Sequence, residues 1–143
     1  ELTRDRSDWY LVPFVPDIVR LSLAVDRGNV ARRLLDRMKD LTVQHTNSLV
    51  TGQALFAEFE GRFDEATRLF DDSAARWRSH GFVFELGQSL LGAGRCLTKL
   101  GRPEGADRLR EARTVFRSLN ARPLLSQLEP WLGRAHAGST SDA

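Results

Sequence analysis

The sequence predicts an all-α protein of about seven helices, and three observations carry that expectation. Apolar residues recur at helical spacing between charged ones, as in Ala66, Leu69, Phe70, Ala74 and Trp77, which lie at offsets of three, four, eight and eleven from Ala66. Glycine-centred turns at Gly28, Gly61, Gly81 and Gly101 cut the pattern into helix-sized pieces. The β-branched runs, such as Leu41-Thr42-Val43, are too brief and isolated to build a sheet.

Residues 1–15 read as a lead-in segment, in which Trp9, Tyr10 and Phe14 accompany Pro13, and Pro16 follows. Each proline is expected to impose extended geometry on the residue before it. Pro16 suits a first helical turn, and Ile18, Val19, Leu21, Leu23 and Val25 continue from it to Asp26. Gly28-Asn29 is expected to turn the chain into a helix carrying Val30, Ala31, Leu34, Leu35 and Met38, so a first helix pair covers about 16–40. A second pair, about 47–80, runs from Asn47 to Glu60, turns at Gly61-Arg62-Phe63 and continues in a helix for which Asp64 is the expected N-cap. His80-Gly81 ends it. The third pair, about 82–120, places Phe82, Leu86, Leu90, Ala93, Leu97 and Leu100 on one helix. Ala106, Leu109, Ala112, Phe116 and Leu119 lie on the other, beyond Gly101-Arg102-Pro103. A closing helix over about 122–137, expected to be interrupted near Pro130, and a disordered tail, 138–143, complete the chain.

At 143 residues the chain suits one domain, and 41% apolar with 28% charged residues gives it the content for a packed interior. The charge-free stretches, Leu41 to Ala57 and Leu86 to Gly94, are too short or too polar to cross a bilayer, so no membrane partner is expected. The first residue is Glu1, the only methionine is Met38 and no basic-then-apolar leader is visible, so the chain is expected to be a piece of a longer one. Cys96, the single cysteine, excludes an internal disulfide and an all-cysteine metal cage, and a cytoplasmic location is the expectation. A pI of 9.2 accompanies a net charge of only +2. The high value reports the type of base: 19 of the 21 basic residues are Arg, which keeps its proton far above the pH at which Lys loses one.

No catalytic template fits. His45, His80 and His136 fall at a linker, a helix end and the tail, without the paired spacing that metal binding needs. The run from Gly87 to Arg95 has Ala93 and Gly94 where a phosphate loop would have further residues of its signature, and Leu97 where a dinucleotide loop needs Gly. Its glycines are expected to let helices approach closely. Arg110, Arg113 and Arg117 share a helix face, an alternative anion-binding stripe beside Glu104, Asp107 and Glu111, with Glu104 placed to pair Arg108. Trp9, Trp77 and Trp131 read as core or cap anchors. No cofactor, no metal and no catalytic residue is expected.

An internal repeat organises these elements. Ala31, Ala66 and Ala106 sit just inside the second helix of each pair, 35 and then 40 residues apart. The stretch Leu55 to Ala66 lies over Arg95 to Ala106, both with a Gly-Arg turn. This resembles the tetratricopeptide (TPR) repeat: Ala54 and Gly94 match its small first-helix position, Gly61 and Gly101 its turn, Ala66 and Ala106 its alanine, and Phe70 the bulky position four residues later. Arg110 departs from that last position and Leu109 substitutes, while the first unit has a turn two residues short. The ending from Ala112 to Pro123, followed by a Leu-rich helix, is similar to the repeat tail of large bacterial multidomain regulators, among them helix-turn-helix activators and cyclase-associated ATPases of the signal-transduction NTPase type.

The resemblance implies an α-solenoid of about three antiparallel helix pairs with a C-terminal cap, and a non-catalytic protein–protein or interdomain interaction module as the sensing or scaffolding part of a transcriptional or signalling regulator. It implies that first-helix residues line a concave surface. The candidate partner-binding residues are then Thr51, Leu55 and Glu58 in one repeat with Gln88, Leu91, Arg95, Thr98 and Lys99 in the next. Their mixture of one acid, two bases and apolar groups suits a peptide or another helix. The clamp some TPR domains use for a terminal carboxylate needs Asn where Leu55 and Arg95 stand, which disfavours that subtype. The expected partner is a protein or peptide, or other domains of the same longer chain, with self-association through an open N-terminal end as a further option and nucleic acid disfavoured. The alternative function is effector sensing, with a small ligand or nucleic acid bound through the Arg-rich surface.

Overall fold

The computed structural model describes residues 12–37 and 46–139. A 3-10 turn, Val12–Phe14, leads into seven α-helices: α1 (Val15–Ala24), α2 (Gly28–Arg37), α3 (Thr46–Phe59), α4 (Phe63–His80), α5 (Val83–Lys99), α6 (Glu104–Ser118) and α7 (Arg122–Ser139). The described residues contain no strand, as the sequence predicts. Trp9, Tyr10, Met38, Lys39, His45 and the end of the tail lie outside the described residues.

Five interhelical turns share one construction. At each, an amide donates to the carbonyl five residues back: Arg27 to Ser22, Arg62 to Ala57, Phe82 to Trp77, Arg102 to Leu97 and Ala121 to Phe116. The residue before each donor has positive φ, namely Asp26, Gly61, Gly81, Gly101 and Asn120. This is the left-handed helix ending that Gly adopts freely and Asn or Asp tolerates.

Several boundaries differ from expectation for identifiable reasons. The turn expected at Gly28-Asn29 is made by Asp26, and Gly28 instead opens α2, where a Cβ would stand 2.9 Å from the Phe59 ring. Asp64 is not the N-cap of α4: it lies inside the first turn and pairs with Arg102 at 2.6 Å. Arg108 takes Asp71 on α4, at 2.9 Å, in preference to Glu104 on its own helix. Two of its guanidinium nitrogens, Nε and Nη2, donate to the two oxygens of that carboxylate, which a forked donor favours over a single surface contact. Pro130 does not interrupt α7, which runs on through Gly138 into the expected tail. Pro130 is exposed, and Leu128, Leu132 and Ala135 bury on one face around it, so packing holds the helix across the missing hydrogen bond.

Each helix packs against the next in sequence, most extensively in α3–α4, α4–α5 and α5–α6. Beyond these neighbours α1 touches α3, α3 touches α5 and α5 touches α7, whereas α2, α4 and α6 make no comparable backbone approach to one another among the described residues. The interior is two apolar clusters, one around Val19, Ala54, Phe56, Phe70 and Cys96 and one around Leu90, Leu109, Phe116, Leu128 and Leu132. The glycines of α5 are seats within it. A Cβ on Gly92 would lie 2.5 Å from the Phe70 ring and one on Gly87 2.6 Å from the Phe116 ring. Only Gly94 and Gly105 bring backbones together, each within about 3.3 Å of the other's carbonyl once a Cβ is added.

Three helices are tied by buried hydroxyls. Ser89 Oγ lies 2.9 Å from Ser73 Oγ, which lies 2.6 Å from Thr51 Oγ1. Thr51 also donates to the Asn47 carbonyl at 2.9 Å and accepts from Trp77 Nε1 at 2.8 Å. One proton order satisfies every member: Ser89 donates to Ser73, Ser73 to Thr51, Thr51 to Asn47, and the indole N–H to Thr51. No buried side-chain polar atom among the described residues lacks a partner.

Candidate functional site

The face shared by α1, α3 and α5 carries a groove of about 450 Å³ lined by Arg20, Leu23, Ala24, Leu55, Glu58, Phe59 and Lys99. The linings from α1 and α3 obey one spacing, i, i+3 and i+4, which places three side chains on one helix face. On α1 the trio is Arg20, Leu23 and Ala24, and 35 residues later on α3 it is Leu55, Glu58 and Phe59. A further 40 residues on, the same trio is Arg95, Thr98 and Lys99 on α5. These are the two intervals that separate Ala31, Ala66 and Ala106.

Charged groups cross this face in partly buried pairs. Arg95 donates from Nε and Nη2 to the two oxygens of Glu58, at 2.8 and 2.7 Å, with side chains 22% and 12% exposed. Burial works against the Arg95 charge, but the hydrogen bonds and charge of Glu58 outweigh it and hold the guanidinium above its usual pKa. Arg20 bridges Glu85 on α5 and Asp17 on its own helix, both at 3.0 Å. Lys99 is placed differently, with its ammonium 4.7 Å from the Phe63 ring centre and 5.6 Å from that of Trp131. The Arg134 guanidinium lies 4.7 Å from the same Trp131 ring. Neither cation meets a carboxylate among the described residues.

Of the residues the sequence singles out, Leu55, Glu58 and Lys99 line the groove and Arg95 holds Glu58. Thr51 and Leu91 do not reach it: both are interior, Thr51 in the hydroxyl network and Leu91 in the second apolar cluster. Gln88 is half-buried. Thr98 donates to the Gly94 carbonyl at 2.8 Å and lines a smaller cavity of about 180 Å³ with Arg102, Pro103 and Arg134. The sequence reading missed Arg20, Leu23, Ala24 and Phe59. Subtracting the 35-residue interval from Leu55 and Glu58 would have found the α1 pair, since it lands on Arg20 and Leu23.

The arginine stripe is partly neutralised. Arg110 pairs with Asp107 and approaches His136 Nε2 at 3.4 Å, and Arg113 stands 3.8 Å from Glu129. Arg117 is exposed at the end of α6. A second groove of about 390 Å³ lies among α2, α3 and α4, where Arg32 pairs with Glu60, and Arg62 with Glu60 and Glu65. On α1 and at the residue that caps it, Leu21 and Val25 are 69% and 67% exposed one turn apart.

Cys96 is buried behind Arg95, and burial first, then the charge of Glu58, pushes its thiol from 9.0 up to about 12. It stays protonated and closed to solvent, which is the opposite of an activated nucleophile. Among the described residues no group of three or more His, Cys, Asp and Glu could hold a metal ion, and no helix is long and apolar enough to cross a membrane. No family model, curated protein or solved structure matches the chain.

Proposed function

We propose that the chain is a TPR-like stack of about three antiparallel helix pairs capped by α7, in which α1, α3, α5 and α7 form an inner layer and α2, α4 and α6 an outer one. It works as a non-catalytic protein–protein or interdomain interaction module, the sensing or scaffolding part of a cytoplasmic bacterial transcriptional or signalling regulator. The observation that carries the stack is the trio at i, i+3 and i+4, which recurs on α1, α3 and α5 at the intervals of the repeated alanines. Such recurrence is what stacking equivalent helix pairs produces.

Two further features support it. The chain of contacts α1–α3–α5–α7 skips one helix each time, as an inner layer requires. Ion pairs between successive units span nearly one period: Glu58 to Arg95 and Asp71 to Arg108 over 37 residues, Asp64 to Arg102 over 38. Asp64, Asp71 and Arg78 lie seven apart on one face of α4 and meet Arg102, Arg108 and Glu111. The assignment to a bacterial regulator rests on the resemblance of the Ala112 to Pro123 ending.

The groove on the inner layer is the proposed partner site, with Leu23, Leu55 and Phe59 as its apolar part and the paired charges as its walls. Peptides selected on this protein from a random nine-residue display library are expected to lose at least about tenfold in affinity when Phe59, 47% exposed, becomes Glu. Arg117→Glu, on α6, is expected to leave affinity unchanged. Selected peptides indifferent to Phe59→Glu would remove the groove from the account.

A second reading, self-association through α1, is favoured by the exposed Leu21 and Val25. Sedimentation equilibrium checks it: a dimer that Leu21→Glu returns to monomer supports it, and a monomer at every concentration rejects it.

A further inference from the structure

Resting on the groove reading above, we infer that the partner segment carries an apolar anchor flanked by Asp or Glu, and that its acidic flank lies on Lys99 and Arg134. The inference comes from which charges of the inner layer are already satisfied. Both oxygens of Glu58 accept from Arg95, and both oxygens of Glu85 accept from Arg20. A Lys or Arg arriving in the groove therefore finds Glu58, the carboxylate that lines it, already occupied; taking it leaves the Arg95 guanidinium without that partner, and taking Glu85 leaves Arg20 with Asp17 alone.

The cationic side is unlike this. Lys99 lines the groove beside Phe59, yet among the described residues its ammonium meets the faces of Phe63 and Trp131 and no carboxylate. Arg134 lies against the same indole as Lys99. Aromatic faces attract a cation without neutralising it, and they leave its N–H donors free on the side away from the ring. Two like charges sharing one indole also repel, and an incoming carboxylate relieves that repulsion while accepting from either. Both side chains are exposed, so the carboxylate needs no opening of the fold.

The apolar half of the site sets what accompanies the acid. Leu55 is buried, and Leu23 from α1 and the exposed Phe59 from α3 line the groove with it. An aliphatic or aromatic side chain seated there lies beside Lys99, because all four residues line one groove. The recognised sequence is therefore an apolar residue with acidic neighbours, and acid alone is insufficient.

The test uses two nine-residue display libraries with randomised apolar centres, one flanked by Asp and Glu and the other by Lys and Arg. They are selected on the full chain, on Lys99→Glu/Arg134→Glu and on Phe59→Glu, each checked for unchanged helical melting. The wild type is expected to enrich the acidic library about tenfold over the basic one at about 0.1 M salt, the effect of two exposed charge contacts. The Lys99→Glu/Arg134→Glu variant is expected to reverse that preference. Equal enrichment of both libraries, abolished by Phe59→Glu, would overturn the charge inference and leave the groove standing. No enrichment of either library, with or without binding of a single-stranded oligonucleotide that depends on Lys99 and Arg134, would overturn both.

Discussion

Thr51→Val is expected to destabilise the protein by about 2–4 kcal/mol, although it keeps the shape of the side chain. The hydroxyl it removes is fully buried and is the node of three hydrogen bonds, to the Asn47 carbonyl, Ser73 Oγ and Trp77 Nε1. Valine offers no acceptor, so the indole N–H is stranded away from water. The Ser73 proton can then turn only to Ser89, which in turn loses its own acceptor. Whichever order the protons adopt, at least two buried donors go unpaired, at roughly 1–3 kcal/mol each before relaxation. Thr67→Val is the control. Its hydroxyl donates only to the Phe63 carbonyl four residues back, and its loss is expected to cost under about 1 kcal/mol. Urea unfolding monitored by circular dichroism reads both, and equal midpoints for the two variants would show that the network does not tie α3, α4 and α5.

Gly92→Ala is the second large effect, expected to cost about 2–3 kcal/mol. In an open helix this change stabilises by about 1 kcal/mol, because glycine loses more backbone freedom on folding. Here the new methyl would stand 2.5 to 2.7 Å from three atoms of the Phe70 ring, and Phe70 is itself fully buried. Neither side has room to retreat, so overpacking reverses the sign. Gly133→Ala on α7, where nothing lies within 4 Å, is expected to show the intrinsic gain. Phe70→Leu alone removes ring volume and costs about 1–2 kcal/mol, but the Gly92→Ala/Phe70→Leu pair should lose less than the sum of its parts. Additive losses would mean that the ring and the glycine are not in contact.

The helices themselves were legible because the spacing of Ala66, Leu69, Phe70, Ala74 and Trp77 is a property of the chain alone. The turns were legible where glycine made them, at 61, 81 and 101, and less so where Asp26 took the same left-handed geometry, since Asp marks many other things. Gly28 misled for the complementary reason: it is there for the nearness of Phe59, a residue 31 positions away, and no local rule reveals that. The Gly87 to Gly94 run was correctly read as packing, but what it packs is mostly the rings of Phe70 and Phe116, and backbones only at Gly94.

The candidate site was half legible for a similar reason. Leu55, Glu58 and Lys99 emerge from matching two repeats, whereas α1 is missed because the residue 35 before Gly61 is Asp26 and not a glycine. Gly28 then stands in for the turn, and the unit looks two residues short although both turns have three residues. Thr51 and Leu91 were placed on the surface because helical periodicity fixes which residues share a face. It does not fix how deep the neighbouring helix sits, and α4 with Trp77 and Ser73 covers Thr51. The choice of Asp71 over Glu104 by Arg108 is equally tertiary, since the winning carboxylate is 37 residues away.

The face shared by α1, α3 and α5 is the proposed place where this chain meets its partner. Hydrogen exchange of the full chain, with and without a peptide selected on it, tests that most directly. Slowed exchange is expected at residues 18–24, 53–60 and 95–100 together, with α4 and α6 unchanged. Protection confined to the outer helices, to the arginine stripe of α6, or to the exposed Phe82 to Phe84 corner would contradict it.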